Sequence, residues 1–192
     1  MEGDGSSEPR TQGATRTDMR ERPRTPDRAD PPPAGKGLEL AYRYLNKRER
    51  TVAEVRARLE KAEIPEGEID AVVAELVELG YVNDARYARV FTEDKRALEA
   101  WGNERIARAL RGRGIDGDLI EAALTSPGED DAEAGEPTGE FGRAVALLVQ
   151  RFPVGPAAPR DRERAFGVLV RKGYESETAA DAVREWARRA PV

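Results

Sequence analysis

The dozen residues GYVNDARYARVF, positions 80–91, gather three aromatic rings, an Asn-Asp pair and two arginines. Guanidinium groups pair with phosphates and carboxylates through rigid forked donors, so recognition of an anionic partner is one chemistry such a stretch could serve. The other reading is local: Asn and Asp carry the side-chain oxygens that begin helices. A second concentration of cations, Arg171, Lys172, Arg184, Arg188 and Arg189, lies toward the C-terminus.

Bond-making chemistry has few groups to work with. Cysteine and histidine are both absent, which removes the thiolate nucleophile, the soft metal ligands, the disulfide and the side chain that titrates near neutrality. The four serines, Ser6, Ser7, Ser126 and Ser176, fall in a tail or at segment boundaries, away from a formed pocket. No catalytic residue, cofactor or metal is therefore expected.

The elements that must position these residues are helical. Of 192 residues, 36% are charged, 39% apolar and only 6% aromatic, a balance that suits several thin layers better than one large core. No apolar run is long enough for a membrane span and no leader-like segment opens the chain, so a cytoplasmic protein is expected.

Residues 1–37 form a Pro/Arg-rich segment. Through position 36 it holds six prolines, four glycines, and seven basic residues against seven acidic ones, which predicts a disordered, solvated tail. The stretch 126–140, SPGEDDAEAGEPTGE, has six acids and no base. It lacks the ligand spacing of a calcium loop and reads as an acidic linker.

Between these lie three copies of one plan. VRARLEKAEIPEGEIDAVV (55–73), IARALRGRGIDGDLIEAAL (106–124) and AFGVLVRKGYESETAADAV (165–183) align without gaps. Leu59, Leu110 and Leu169 coincide, as do Ile64, Ile115 and Tyr174. Each copy is a leucine-bearing helix, a turn at Glu63, Gly114 or Gly173, and a second helix; glycine suits the left-handed residue that ends a helix. One further helix precedes each pair, at 38–47, 84–98 and 141–150. Thr51 and Glu54 form a capping-box signature, with Asp161 at the aligned place in the third copy. The expected fold is all-α: an elongated tandem array of three-helix repeats over 38–82, 83–125 and 141–192, behind the disordered tail. Their net charges are −3, 0 and +4.

In this frame Asn83 or Asp84 caps the first helix of the second repeat. On a helical wheel Tyr87, Phe91, Leu98 and Trp101 share one face, expected to be core, while Arg86, Arg89, Glu93 and Arg96 take the opposite face.

The string GYVNDARYA, followed by GNERIARALRGRGI at 102–115, resembles the RecX family, bacterial regulatory proteins that modulate the recombinase RecA. The resemblance covers about residues 38–125; the third repeat is looser because FPVGPAAPRD lengthens its first join, and Asn83 replaces an acid common at that place. It implies a monomeric, non-catalytic regulator that lies along the RecA filament on single-stranded DNA. Such a protein damps strand exchange, ATP hydrolysis and coprotease function, within DNA repair, homologous recombination and the SOS response, and binds single- or double-stranded DNA weakly. The surface it implies for RecA or DNA is drawn from Arg86, Arg89, Arg96, Arg105, Arg108, Arg111, Arg113, Arg171, Lys172, Arg184, Arg188 and Arg189. The alternative is a helical module acting directly on nucleic acid, favoured by the basic third repeat; a passive helical scaffold comes third. A net charge of −5 weighs against tight duplex binding by the chain alone.

Overall fold

The computed structural model describes residues 35–125 and 139–189. The expected disordered tail and acidic linker lie outside these residues, apart from their last few positions. Among the described residues there are nine helices and no strand. They are α1 (Lys36–Leu45), α2 (Val52–Glu60), α3 (Glu66–Glu78), α4 (Asp84–Glu99), α5 (Asn103–Arg111), α6 (Gly117–Thr125), α7 (Gly139–Arg151), α8 (Pro159–Lys172) and α9 (Ser176–Arg189).

Local chemistry starts the helices where side-chain oxygens can meet free amides. The Glu54 amide donates to Thr51 Oγ1 at 3.1 Å and the Thr51 amide to the Glu54 carboxylate at 3.3 Å, a complete capping box. Asn83, rather than Asp84, caps α4, its Oδ1 accepting from the Arg86 amide at 2.8 Å. In the third copy the helix begins earlier than the alignment suggests. Pro159, with its fixed φ, is pre-set for the first turn, so Asp161 sits inside the helix and its carboxylate accepts from the Ala158 amide at 2.9 Å.

The nine helices fall into three triplets, each with its own apolar cluster. In each triplet the third helix packs against the first and the second. The shared leucines are the pivot: Leu59, Leu110 and Leu169 are all fully buried. Each also accepts a backbone bond across the following turn, from the amides of Ile64 at 3.2 Å, Ile115 at 3.2 Å and Tyr174 at 3.1 Å. With the shorter bonds from Glu63 to Glu60, Gly114 to Arg111 and Gly173 to Val170, this is the same helix-ending motif three times. The repeat seen in the sequence is thus a repeat of backbone hydrogen bonding as well as of side chains.

Among the described residues no apolar cluster spans two triplets; polar contacts at aligned positions join them. At the first joint the Thr51 hydroxyl donates to the Arg113 carbonyl at 2.8 Å and the Val52 amide to Asp84 Oδ1 at 3.0 Å. At the second, the Gly102 amide donates to the Lys172 carbonyl at 3.0 Å and the Asn103 amide to Glu140 Oε1 at 2.7 Å. In the alignment Thr51 matches Gly102, Val52 matches Asn103 and Arg113 matches Lys172. The start of one triplet's second helix is therefore capped by the next triplet: by a carbonyl beside its turn, and by an acid opening its first helix. Orphan amides at a buried helix start need such partners.

Candidate partner-binding surface

The arginines singled out in the sequence divide into those that face outward and those the fold consumes. On α4, Arg86 pairs with Glu49 at 3.4 Å and Arg89 with Glu93 at 3.0 Å, all four side chains substantially exposed. Such pairs are worth little in water, so their arginines can exchange an intramolecular carboxylate for a partner's anion at small cost. On α5, Arg108 and Arg111 are exposed. On α9, Arg184 pairs with Asp181, and Arg188 and Arg189 both reach Glu185. Their hydrogen bonds hold the Glu185 carboxyl below its ordinary range.

Arg96 belongs to the second group. It is drawn inward, its Nη2 donating to the Leu124 carbonyl at 2.8 Å and to Asn103 Oδ1 at 3.1 Å, so it ties the end of α6 to the start of α5. Arg105 lies over the Trp101 ring, 4.1 Å from its centroid, and donates to the Arg171 carbonyl at 3.1 Å. Arg113 lies 4.7 Å from the Phe91 centroid and donates to the Ala109 carbonyl at 2.7 Å. Lys172 donates to the Glu99 carbonyl at 2.6 Å across the second joint. Arg171 is exposed, and its carbonyl serves that joint.

The aromatic face of α4 is only partly core. Tyr87, Phe91 and Trp101 pack against the middle cluster, Tyr87 stacked near-parallel on Phe91 with centroids 6.1 Å apart. Leu98, expected on that face, is 80% exposed. In this last turn of α4 the contacts are made by the neighbours of Leu98 instead: Arg96 reaches Asn103 and Leu124, and the Glu99 carbonyl accepts from Lys172.

One group went unnoticed in the sequence. Arg162 joins Arg184 and Arg188 around a groove of about 370 Å³ between α8 and α9, with Val183 and Ala187 completing its lining. The three arginines are exposed. The only sequence signal was PRDRER at 159–164, where cations open a helix whose dipole disfavours them. Elsewhere among the described residues no cluster of three or more acids could hold a metal ion, and no helix is long and apolar enough to cross a membrane.

Burial also shifts titratable groups at the joints. Burial raises the carboxyls of Asp84 and Glu140, each partly offset by the backbone amide it accepts from, Val52 and Asn103 respectively. Beside Glu140, burial pushes the Tyr174 hydroxyl up to about 12.

Comparison with known proteins gives this geometry a context. Two family models match, the first three-helix domain of RecX over residues 38–76 and the second over 83–124. The regulatory protein RecX of Deinococcus radiodurans is 34% identical over 154 residues, covering 80% of this chain and 70% of that protein. The regulatory protein RecX of Thermobifida fusca is 30% identical over 177 residues, covering 83% and 90%. The crystal structure of RecX from Lactobacillus salivarius superposes with a TM-score of 0.65 at 24% identity, over 79% of this chain and 94% of that one.

Proposed function

The chain belongs to the RecX family of regulatory proteins, and from that membership we propose that it binds the RecA filament on single-stranded DNA and, without catalysing a reaction, lowers its recombinase, ATPase and coprotease activities. The triplets over 38–82, 83–125 and 141–192 are the contacting units, and the cytoplasm is where a monomer would meet its partner. One observation carries the reading: outward arginines, paired at most with exposed carboxylates or at the surface, recur on all three triplets, Arg43 and Arg48 on the first, Arg86, Arg89, Arg108 and Arg111 on the second and Arg162, Arg184 and Arg188 on the third.

The physical logic is distribution. No single site offers the buried aromatic and arginine anchors that make one contact sufficient. Several modest contacts on linked units still sum to a stable complex, because each bound unit raises the effective concentration of the next. A partner that presents carboxylates or phosphates at repeated intervals suits this arrangement, and a nucleoprotein filament does so.

The test is charge reversal where the fold is indifferent to it. Arg86→Glu/Arg89→Glu should leave the melting temperature nearly unchanged, since exposed substitutions usually move stability by less than about 0.5 kcal/mol. It should weaken inhibition of the DNA-dependent ATPase of the cognate RecA, because like charges facing across an interface repel. Wild-type inhibition by a normally melting variant removes α4 from the interface. Direct action on nucleic acid is the second reading, favoured by the groove of Arg162, Arg184 and Arg188. Appreciable binding to bare DNA at physiological salt, falling steeply as salt rises, would support it instead.

A further inference from the structure

The three turns that end α2, α5 and α8 share one backbone conformation but not one residue. Glu63, Gly114 and Gly173 all have positive φ, at 58°, 75° and 87°. Glu63 shows that a side chain is tolerated in this turn, so conformational freedom alone does not account for glycine at the other two. Their surroundings do. A Cβ on Gly114 would overlap the Cβ of Ala53, and one on Gly173 would overlap the Cβ of Arg105 with the Arg105 amide nitrogen 2.8 Å away. Ala53 and Arg105 lie in the first turn of the preceding triplet's second helix. From the other side of the second joint, a Cβ on Gly102 would overlap the Gly173 carbonyl, although its φ of −79° suits any residue. The three glycines are therefore points of close approach between triplets that share no apolar core.

We infer that Gly102, Gly114 and Gly173 are positioning residues: by letting successive triplets seat on the same polar joint, they fix the spacing at which the outward faces meet a repeating partner. The inference rests on the filament-binding reading above. Two joints built at aligned positions hold successive triplets by the same kind of contact, so that faces seated on one partner subunit are carried toward the next. Linked contacts reinforce one another only when the geometry allows them to engage together. A methyl group placed in a joint, far from any arginine, should then weaken binding without touching the surface that binds.

The structure supplies its own controls. Gly80 has positive φ, 72°, but nothing within 4 Å of an added Cβ, so Gly80→Ala imposes the backbone strain without the collision. Gly102→Ala imposes the collision without the strain. Gly114→Ala has a partner that can restore it: once Ala53 loses its Cβ, the nearest remaining atom is the Ala53 Cα at an ordinary 3.8 Å. Because the chain contains no cysteine, Ala57→Cys and Glu121→Cys give a unique pair of labelling sites on α2 and α6 for a spin–spin distance across the first joint.

The experiment measures that distance, and the affinity of unlabelled full-length protein for cognate RecA filaments on single-stranded DNA, at a temperature where circular dichroism shows every variant folded. Gly114→Ala should shift or broaden the distance and weaken filament binding by about a hundredfold. Ala53→Gly/Gly114→Ala should recover both, Gly80→Ala should leave both near wild type, and Gly102→Ala should weaken binding through the second joint. Should Gly114→Ala fail to fold, Gly102→Ala decides, its joint read by the distance between Glu121→Cys on α6 and Glu177→Cys on α9, both exposed positions. Wild-type affinity in a variant whose joint has moved overturns the inference by itself, as does a loss in Gly80→Ala equal to that in Gly114→Ala. Failure of the wild-type chain to bind filaments overturns the functional reading and this inference together.

Discussion

The turn after α2 and the turns after α5 and α8 make the same hydrogen bonds around the same buried leucine, yet one carries glutamate and the others glycine. The difference tracks position in the array. Gly114 and Gly173 each receive a neighbour's helix, whereas Glu63 belongs to the first of the described triplets and faces no earlier one among the described residues. The opposite end behaves in parallel: α8 begins with Pro159, which has no amide to satisfy, and Asp161, whose carboxylate accepts from the Ala157 and Ala158 amides, where α5 takes an acid from the next triplet and α2 takes one in addition to its own capping box. Among the described residues, helix starts at the two joints receive an acid from a neighbouring triplet, and the start of α8 is closed by its own residues alone. A repeat protein distinguishes its caps from its middle in this way.

The comparison can be broken first at the cores. If each triplet stands on its own cluster and the joints add only polar contacts, Leu110→Ala should cost about 2–5 kcal/mol by leaving a cavity beneath the middle turn. Denaturant unfolding followed by circular dichroism measures this, and a neutral result would mean the aligned leucine is not the pivot it resembles. A smaller change sharpens the contrast between the turns. Glu63→Gly relieves a left-handed residue but loosens the unfolded chain, so it should stabilise by no more than about 1 kcal/mol. A clear loss would assign Glu63 a contact beyond its turn.

The smallest expected effect reads the joints by pH. Asp84 and Glu140 have folded pKa values raised by burial. Their contribution to stability is therefore fullest below the ordinary carboxylate range and declines as pH rises through the raised values. Asp84→Asn/Glu140→Gln keeps an oxygen for the Val52 and Asn103 amides while removing the charge. The variant's melting temperature should match or exceed wild type at neutral pH, and the gap should close as the pH falls to about 4. Taking the difference between the two proteins cancels the other carboxylates, including Glu99 and Glu185, whose pKa values move down. A gap that widens on acidification would reverse the sign assigned to these burials.

Much of the fold was legible because it is written locally. The helical periodicity, the three-fold alignment, the buried leucines and the capping box at Thr51 each depend on residues within a turn or two of one another, and each appears as read. The surface was legible only in part. A helical wheel puts Arg96 outward and Leu98 inward, but a wheel knows nothing of where neighbouring helices end. Arg96 finds the carbonyl of Leu124, and Leu98 is left facing outward. Asp84 is the instructive residue of the opening stretch. Its type suggested a cap for its own helix, and it caps a different one, the start of α2. The joint glycines were hidden for a related reason: a sufficient local explanation, the left-handed turn, masked the approach of a distant chain segment.

We propose that this chain regulates RecA by seating on its filament. Titrating the purified protein into cognate RecA assembled on single-stranded DNA, with ATP hydrolysis as the readout, tests it most directly. Hydrolysis should fall at amounts of this protein at or below those of RecA, while binding to the same DNA without RecA stays feeble at physiological salt. Undiminished hydrolysis at a stoichiometric excess, or bare-DNA binding as tight as filament binding, would contradict it.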